Sequence, residues 1–423
     1  MDHAVRATEV FDELGDPVAA GRAAAAHAGA LGLGLGDNAQ AISVAEPRWQ
    51  ALRGRDDATM ALLDLSRVIC GSGTRLKIDI RDVLEARIKL AERIGDAGEL
   101  ADSFTGLSVH YGQSGASSLA GVLLEAAADL ARTNHQPAAL ARSLLNLTVH
   151  RMLDDLDKAI EVGREAVSVA SGAGVSVWIS YSEINLVLAL WGRGSWAEAE
   201  EILGNQSHRD EINVLISAVL VGSISSARGL PWSLPWISVE APVGDDGSDI
   251  AWLSFAEAMQ ARERRDLESA VRLALDATEQ MYALSGTWDD CTHMWPTAVE
   301  MALEAGDNNA LTRLLDLIDD GSNGTVSLAM RIHLKRVAGL LAIRDGAAPE
   351  IVETTLREVI AEFEEWGAMP YRARTQAELG AWLVAQGRAE EATPLLNSAR
   401  AAFAELGATA WLEQLESQRT TVN

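Results

Sequence analysis

Basic residues are scarce in this chain, and lysine is nearly absent. Of its 423 residues, 35 are lysine or arginine and 61 are aspartate or glutamate, which gives a net charge of -26. Only four lysines occur, and no run of clustered basic side chains is present. Binding to nucleic-acid phosphates needs such clusters. The sequence therefore predicts no direct binding to DNA or RNA, and the excess of acid indicates a solvated, self-repelling surface.

Cysteines and long apolar runs are also few. The only cysteines are Cys70 and Cys291, which excludes a disulfide framework and fits a reducing cytoplasm. The N-terminus has no apolar stretch typical of a signal peptide. Uncharged runs such as Ile212–Ala227 are too short or too polar for a bilayer, which takes about 20 apolar residues. We therefore predict a cytoplasmic protein with no membrane segment.

Motifs for cofactors and catalysis are missing as well. No lysine follows a glycine, so the chain lacks a P-loop. The glycines of Gly32–Gly36 follow a helical stretch instead of a strand and are interpreted as a turn between helices. Asp289 and His293, close to Cys291, would share a helical face, but zinc sites need three or four ligands. No Ser/His/Asp set is evident. The sequence predicts no cofactor, no metal site and no enzymatic activity.

A repeated alanine is the strongest positive signal. Each copy follows a short turn containing Gly or Asp and precedes an apolar helical stripe; the copies are Ala159, Ala199, Ala270, Ala310 and Ala392. The steps between them are 40, 71, 40 and 82 residues, so the period is about 40, with one short and one double interval. A repeat of this length made of two helices buries its apolar face only by stacking on its neighbours. The predicted fold is all-α, a right-handed solenoid of antiparallel helix pairs.

One segment interrupts the repeats. Residues 229–249 hold Pro231, Pro235 and Pro242 with no helical periodicity, and they stand where a second helix is expected. Trp232 and Trp236 favour an ordered loop over free disorder. We therefore divide the chain into N-terminal repeats over 1–228, a Trp/Pro-rich loop over 229–249 and C-terminal repeats over 250–423.

The units resemble tetratricopeptide repeats. The clearest unit is Arg372–Ala408, where Glu378-Leu379-Gly380, Gly387-Arg388, Glu391-Ala392 and Leu395-Leu396 occur in order and Trp411 follows. This phrase is similar to the last repeats of large bacterial signalling ATPases, the LuxR-type ATP-binding regulators and the multidomain adenylate cyclases. The resemblance implies a sensor region that works beside ATPase, cyclase or DNA-binding domains. The chain begins within a repeat, which favours a region of such a protein over a stand-alone relative.

The resemblance also implies a binding groove. Eight of the twelve tryptophans fall between Trp178 and Trp295. In tetratricopeptide repeats the first helix of each pair lines the concave face, and the alanine register carries those groove positions to ten residues of this chain: Thr148, Arg151, Tyr181, Leu188, Trp191, Trp252, Phe255, Met259, Arg262 and Trp295. Such a surface would suit a protein, a peptide or a small effector. The alternative is that these rings pack between repeats or under the 229–249 loop.

Three functions follow, in order of preference. The first is a non-catalytic sensor or scaffold that binds a protein, peptide or small effector and passes that state to bacterial signalling or transcription-regulating domains. The second is a stand-alone adaptor that assembles a cytoplasmic complex. The third is an enzyme whose site the sequence does not reveal.

Overall fold

The protein is all-α. The computed structural model describes residues 2–34, 36–76, 78–205, 211–231, 247–286, 290–318 and 326–420, which form 21 α-helices and no β-strand. Most consecutive helices whose connections are described are joined by short turns and pack as antiparallel pairs, so the architecture is the predicted TPR-like helical repeat.

The helices belong to two compact units. Unit 1 comprises Met1–Asn146 and Val243–Ile250, and unit 2 comprises Leu147–Pro242 and Ala251–Asn423. The division predicted from the sequence, at 229–249, stays a prediction. The compact units divide after Asn146, and residues 232–246 of that segment, with Trp232 and Trp236, lie outside the described residues.

Unit 1 contains the first helices of the chain: α1 (Asp2–Glu13), α2 (Pro17–Gly29), α3 (Asn38–Leu52), α4 (Thr59–Arg75), α5 (Arg81–Ile94), α6 (Ala97–Gln113), α7 (Ser117–Thr133) and the beginning of α8 (Pro137–Met152). Its core is built mainly from alanine and leucine around Trp49. Arg87 is buried there and pairs with Glu99 at 2.8 Å, so this unit encloses a charge but also neutralises it.

Unit 2 contains the end of α8 and the remaining helices: α9 (Leu156–Ala173), α10 (Ser176–Arg193), α11 (Trp196–Asn205), α12 (Glu211–Arg228), α13 (Gly247–Glu263), α14 (Leu267–Ser285), α15 (Cys291–Ala305), α16 (Asn308–Ile318), α17 (Leu328–Arg344), α18 (Pro349–Trp366), α19 (Met369–Ala385), α20 (Ala389–Leu406) and α21 (Thr409–Thr420). The first residues of α13, up to Ile250, fall in unit 1.

The signature alanines lie at the start of the second helix of each pair. All five are the third or fourth residue of their helix and are at most 3% exposed. In three of the five the turn supplies a helix cap: the carboxylates of Asp155, Asp266 and Asp307 accept hydrogen bonds from Lys158 N, Ser269 N and Ala310 N. Such caps satisfy amide groups that the first helical turn leaves unpaired. The Gly/Asp turn and the alanine are therefore two parts of one helix start.

Glycine on the first helix allows the two helices of a pair to meet closely. A Cβ added to Gly380 in α19 would lie 2.5 Å from Leu396 Cδ2 and 3.7 Å from the carbonyl oxygen of Ala392. The preceding pair repeats the arrangement, because a Cβ on Gly339 would lie 2.5 Å from Leu356 Cδ2. The small residues thus set the distance between paired helices.

Replacing Gly380 with Ala is expected to destabilise unit 2 by about 1–3 kcal/mol, because Leu396 must move in a packed core. The matched control is Gly172→Ala in α9, where an added Cβ meets nothing within 4 Å. That change should leave stability unchanged or raise it by less than about 1 kcal/mol. Urea unfolding measures both, and equal effects of the two substitutions would refute this steric account.

Both irregular steps of the alanine pattern have a structural reason. In the double interval, Val352 is the fourth residue of α18 and is fully buried, so valine takes the place of alanine there. In the short interval, α12 is the one described helix between α11 and α13, and most of the residues between α12 and α13 lie outside the described ranges.

Candidate functional site

Unit 2 surrounds a cavity of about 1280 Å³. Its walls come mainly from the first helices of successive pairs, namely α10, α12, α13, α15, α17 and α19. Trp196 of α11, residues 229–231, Phe403 of α20 and most of α21 complete the lining. The lining mixes aromatic rings with arginine and glutamate side chains. Because the pairs stack in register, the first helix of each pair turns the same face toward the cavity.

The cavity exists because the early and late helices of unit 2 touch. The indole Nε1 of Trp366, at the end of α18, donates a hydrogen bond of 2.9 Å to the carbonyl oxygen of Met152 in α8. The amide of Ala329 donates to the carbonyl oxygen of Leu153 at 3.1 Å. Neighbouring repeats alone would not produce these contacts between distant parts of the sequence.

Aromatic rings also join the early and late helices of unit 2. We call this contact region the closure seam. It consists of Met152, Trp191, Trp196, Trp366, Tyr371 and Trp411. Trp191 meets Tyr371 edge to face, with 6.2 Å between ring centroids. Trp196 meets Trp411 at 5.7 Å and donates its indole hydrogen to the carbonyl oxygen of Trp191. Edge-to-face pairs add about 0.5–1.5 kcal/mol beyond the area they bury.

A network of ion pairs crosses the cavity wall. Arg336 of α17 is 2% exposed and pairs with Glu300 of α15 at 2.9 Å and with both carboxylate oxygens of Glu378 of α19. Arg374 of α19 reaches the same Glu300 oxygen at 2.8 Å. Three consecutive first helices are therefore joined through charge as well as packing.

The network extends to α13. Arg262 Nε donates to Glu304 at 2.8 Å, and Arg265 Nη1 donates to the other oxygen of that carboxylate at 3.2 Å. Both arginines line the cavity, but Arg265 is mostly exposed, whereas Arg262 is 28% exposed. The ion pairs of the cavity wall are thus Arg262–Glu304, Arg265–Glu304, Arg336–Glu300, Arg336–Glu378 and Arg374–Glu300.

These charges fix the ionisation of the cavity wall. Burial opposes the ionisation of Glu300, but Arg374, Arg336 and Arg262 outweigh it and lower its pKa to about 2. Burial, together with the charge of Glu300, raises the pKa of Tyr371 above its usual range. At neutral pH Glu300 is therefore an anion and Tyr371 a neutral phenol.

His333 lies behind this wall, among Phe363, Trp366 and Tyr371, with its ring centroid 4.5 Å from that of Tyr371. Burial and then the nearby charge of Arg336 lower its pKa to about 3, while Glu300 acts in the opposite direction. The imidazole is neutral in the folded protein down to acid pH, although an unfolded histidine titrates near 6.5.

Unit 2 is therefore expected to lose stability as the pH falls below about 6.5, because the unfolded chain then binds a proton that folded His333 excludes. From pH 7 to pH 5 this group alone removes about 2 kcal/mol. The variant His333→Leu lacks this titrating group and should not lose that free energy. The excess unfolding free energy of the wild type over the variant should therefore shrink by about 2 kcal/mol from pH 7 to pH 5. A difference that stays constant with pH would contradict the assignment.

Three of the ten predicted groove residues line the cavity: Trp191, Met259 and Arg262. Five others are buried among helices and do not reach it: Thr148, Leu188, Trp252, Phe255 and Trp295. Tyr181 and Arg151 are partly exposed but are not part of the lining. Whether any of the ten binds a ligand stays a prediction.

The buried tryptophans have internal partners for their indole groups. Trp252 donates to Asp290 Oδ2 at 2.8 Å, and Trp295 donates to the carbonyl oxygen of Leu314 at 2.7 Å. A tryptophan whose N–H is satisfied inside the core has no reason to face a groove. These two rings pack inside the helical core, as the alternative interpretation of the sequence expects.

Four charged residues of the cavity were not among the predicted groove positions: Glu300, Arg336, Arg374 and Glu378. A usable signal existed in their spacing, since Arg336 follows Glu300 by 36 residues and Glu378 follows Arg336 by 42, about one period each. The groove positions derived from the alanine register were mainly aromatic or apolar, and they did not include these charged residues.

Cys70, Cys291 and His293 are not part of the cavity lining. No group of three or more His, Cys, Asp or Glu side chains within them could hold a metal ion. Asp289, part of the candidate cluster in the sequence, lies outside them. Burial raises the pKa of the Cys291 thiol, and of Cys70 to about 11, which keeps both thiols protonated and unreactive.

None of the described helices is both long enough and apolar enough to cross a membrane.

Comparison with known proteins gives only structural similarity. No protein-family profile matches the chain, and no curated protein sequence matches it. Among solved structures, a human IFIT1 dimer with PPP-AAAA is 15% identical, with 86% of each chain covered and a TM-score of 0.45. A Rap protein complexed with competence and sporulation factor is 10% identical, covering 91% of this chain and 98% of that one, with a TM-score of 0.43. A circular tandem repeat protein is 15% identical and has a TM-score of 0.15.

Proposed function

We propose that this chain is a non-catalytic binding module whose unit 2 cavity holds a small effector or a short peptide. The observation that carries the proposal is the cavity itself, about 1280 Å³ in volume and lined by aromatic, arginine and glutamate side chains from successive helix pairs. Ligand sites combine apolar walls with a few placed polar groups in this way.

The charge states of the wall favour binding over catalysis. A general acid or base works best when its pKa lies near the working pH. The pKa of Glu300 is lowered to about 2 and that of His333 to about 3, while the pKa of Tyr371 is raised. Throughout the neutral range Glu300 would therefore stay ionised, His333 would stay neutral and Tyr371 would stay protonated.

A sensor role would follow from how the cavity is built. Each helix pair contacts mainly its neighbours, so a ligand touching several first helices would change the packing between pairs. We propose that this change serves bacterial signalling or transcription regulation in the cytoplasm, as the resemblance to LuxR-type regulators and multidomain cyclases implies. A stand-alone adaptor would use the same cavity for a partner segment.

The test uses 1-anilinonaphthalene-8-sulfonate, a dye that fluoresces in apolar sites. The folded protein should bind it saturably at one site. Ala381→Trp, which places a ring in the cavity wall of α19, should weaken binding by about tenfold or more. The matched control is Ala404→Trp on the exposed side of α20, outside the lining. Absence of saturable binding, or equal binding by both variants, would contradict the proposal.

A further inference from the structure

We infer that the ligand of this cavity carries an anionic group, held by Arg262 and Arg374, on an apolar or aromatic body that lies against Trp191 and Trp411. The inference extends the proposed function, because it assigns the chemical class of the ligand at the same site.

The arginines that line the cavity differ in how many of their N–H donors already have partners. Arg336 employs all three guanidinium nitrogens on Glu300 and Glu378. In the described part of the chain, Arg262 pairs through Nε alone and Arg374 through Nη1 alone. A guanidinium has five N–H donors in a planar fork. Arg262 and Arg374 therefore keep several donors each, and their side chains remain 28% and 25% exposed in the cavity wall.

The carboxylates of the wall are more nearly saturated. Both oxygens of Glu378 accept from Arg336, and Glu304 accepts from Arg262 on one oxygen and Arg265 on the other. Glu300 uses one oxygen for two arginines. The unused hydrogen-bonding groups of this network are thus mainly donors, and the complementary ligand group is an acceptor. An anion fits best, because two oxygens of opposite charge can accept from the fork of a guanidinium in parallel.

Two further carboxylates, Glu263 and Glu413, also line the cavity, but they are exposed. Charges in contact with water are screened far more than those of the buried network. They weaken the attraction for an anion at long range without occupying the donors of Arg262 and Arg374.

The apolar body of the ligand has a defined neighbour. The guanidinium of Arg374 lies 5.2 Å from the ring centroid of Trp411, and Phe403 meets the same ring at 5.4 Å. A second aromatic ring of the lining is Trp191, which comes from α10. An anion bound to Arg374 would therefore place its attached group beside aromatic surface.

A pair of dyes tests the inference. 1-Anilinonaphthalene-8-sulfonate and N-phenyl-1-naphthylamine share one ring system, and only the first carries the anionic sulfonate. We expect the sulfonate dye to bind at least about tenfold more tightly. Arg374→Gln and Arg262→Gln should each weaken the sulfonate dye by about tenfold and leave the neutral dye unchanged. Equal affinity of the two dyes, or equal losses for both, would overturn the inference.

The controls separate this inference from the proposed function. Arg164→Gln removes an exposed partner of Glu198 outside the cavity and should change neither dye. If both dyes bind with the same affinity and both are blocked by Ala381→Trp, the cavity binds ligands but does not select anions. If Ala381→Trp blocks neither dye, the binding cavity itself is refuted. Arg262→Gln gives the answer if Arg374→Gln does not fold, because Glu304 keeps Arg265.

Discussion

Replacing Arg336 with Met is expected to lower the unfolding free energy of unit 2 by about 3–5 kcal/mol. Arg336 is 2% exposed and is the only residue of α17 that joins Glu300 of α15 to Glu378 of α19 in the described ion pairs. Without it, Glu378 loses both bonds of its carboxylate, and Glu300 keeps Arg374 alone. Removing one partner leaves buried charge uncompensated, which costs more than the pair contributes.

Urea unfolding followed by tryptophan emission measures this loss, since every tryptophan except Trp49 lies within the sequence of unit 2. The matched control is Arg313→Met, which breaks an ion pair of similar geometry with Glu279 on the surface, where both side chains are at least 32% exposed. Surface pairs contribute about 0–1 kcal/mol. A loss for Arg336→Met as small as that of the control would mean that the network is not buried as described.

Replacing Trp366 with Ala is expected to cost about 3–5 kcal/mol and to loosen the closure seam. The ring is 7% exposed, stacks near Phe363 and meets His333. Its indole also donates to Met152, 214 residues earlier in the chain. The substitution therefore removes core volume and a contact between the early and late helices of unit 2 at once.

Trp366→Phe separates these two contributions. It keeps most of the ring but removes the indole donor, so the carbonyl of Met152 loses its 2.9 Å partner. The expected cost is about 1–3 kcal/mol, the penalty for an unsatisfied buried group. Limited proteolysis should cut Trp366→Ala near the seam faster than Trp366→Phe. Equal unfolding energies for the wild type and Trp366→Ala would contradict a structural seam.

The helix pairs were predictable because their signals are local. A cap such as Asp155, a buried alanine such as Ala159 and an end glycine such as Gly174 lie within one helix and its turns. Val352 escaped the pattern because packing demands a small or slender residue at that position, and valine also satisfies the demand. Periodicity in residue type is therefore a narrower signal than periodicity in structure.

The cavity could be predicted only in part, for a different physical reason. A register based on neighbouring repeats assigned Trp252 and Trp295 to a groove, although partners for their indole groups lie within the core. The charged wall depends on the seam, and the seam joins Trp366 to Met152 across most of unit 2. No local pattern encodes such a contact, which becomes visible only in three dimensions.

The most direct test of the cavity as a ligand site is a crystal structure of the complex with 1-anilinonaphthalene-8-sulfonate. We expect electron density for the dye inside unit 2, with the sulfonate in hydrogen-bonding distance of Arg262 or Arg374 and the rings against Trp191 or Trp411. Dye bound only at another surface of a folded protein, with the cavity filled by side chains, would contradict it.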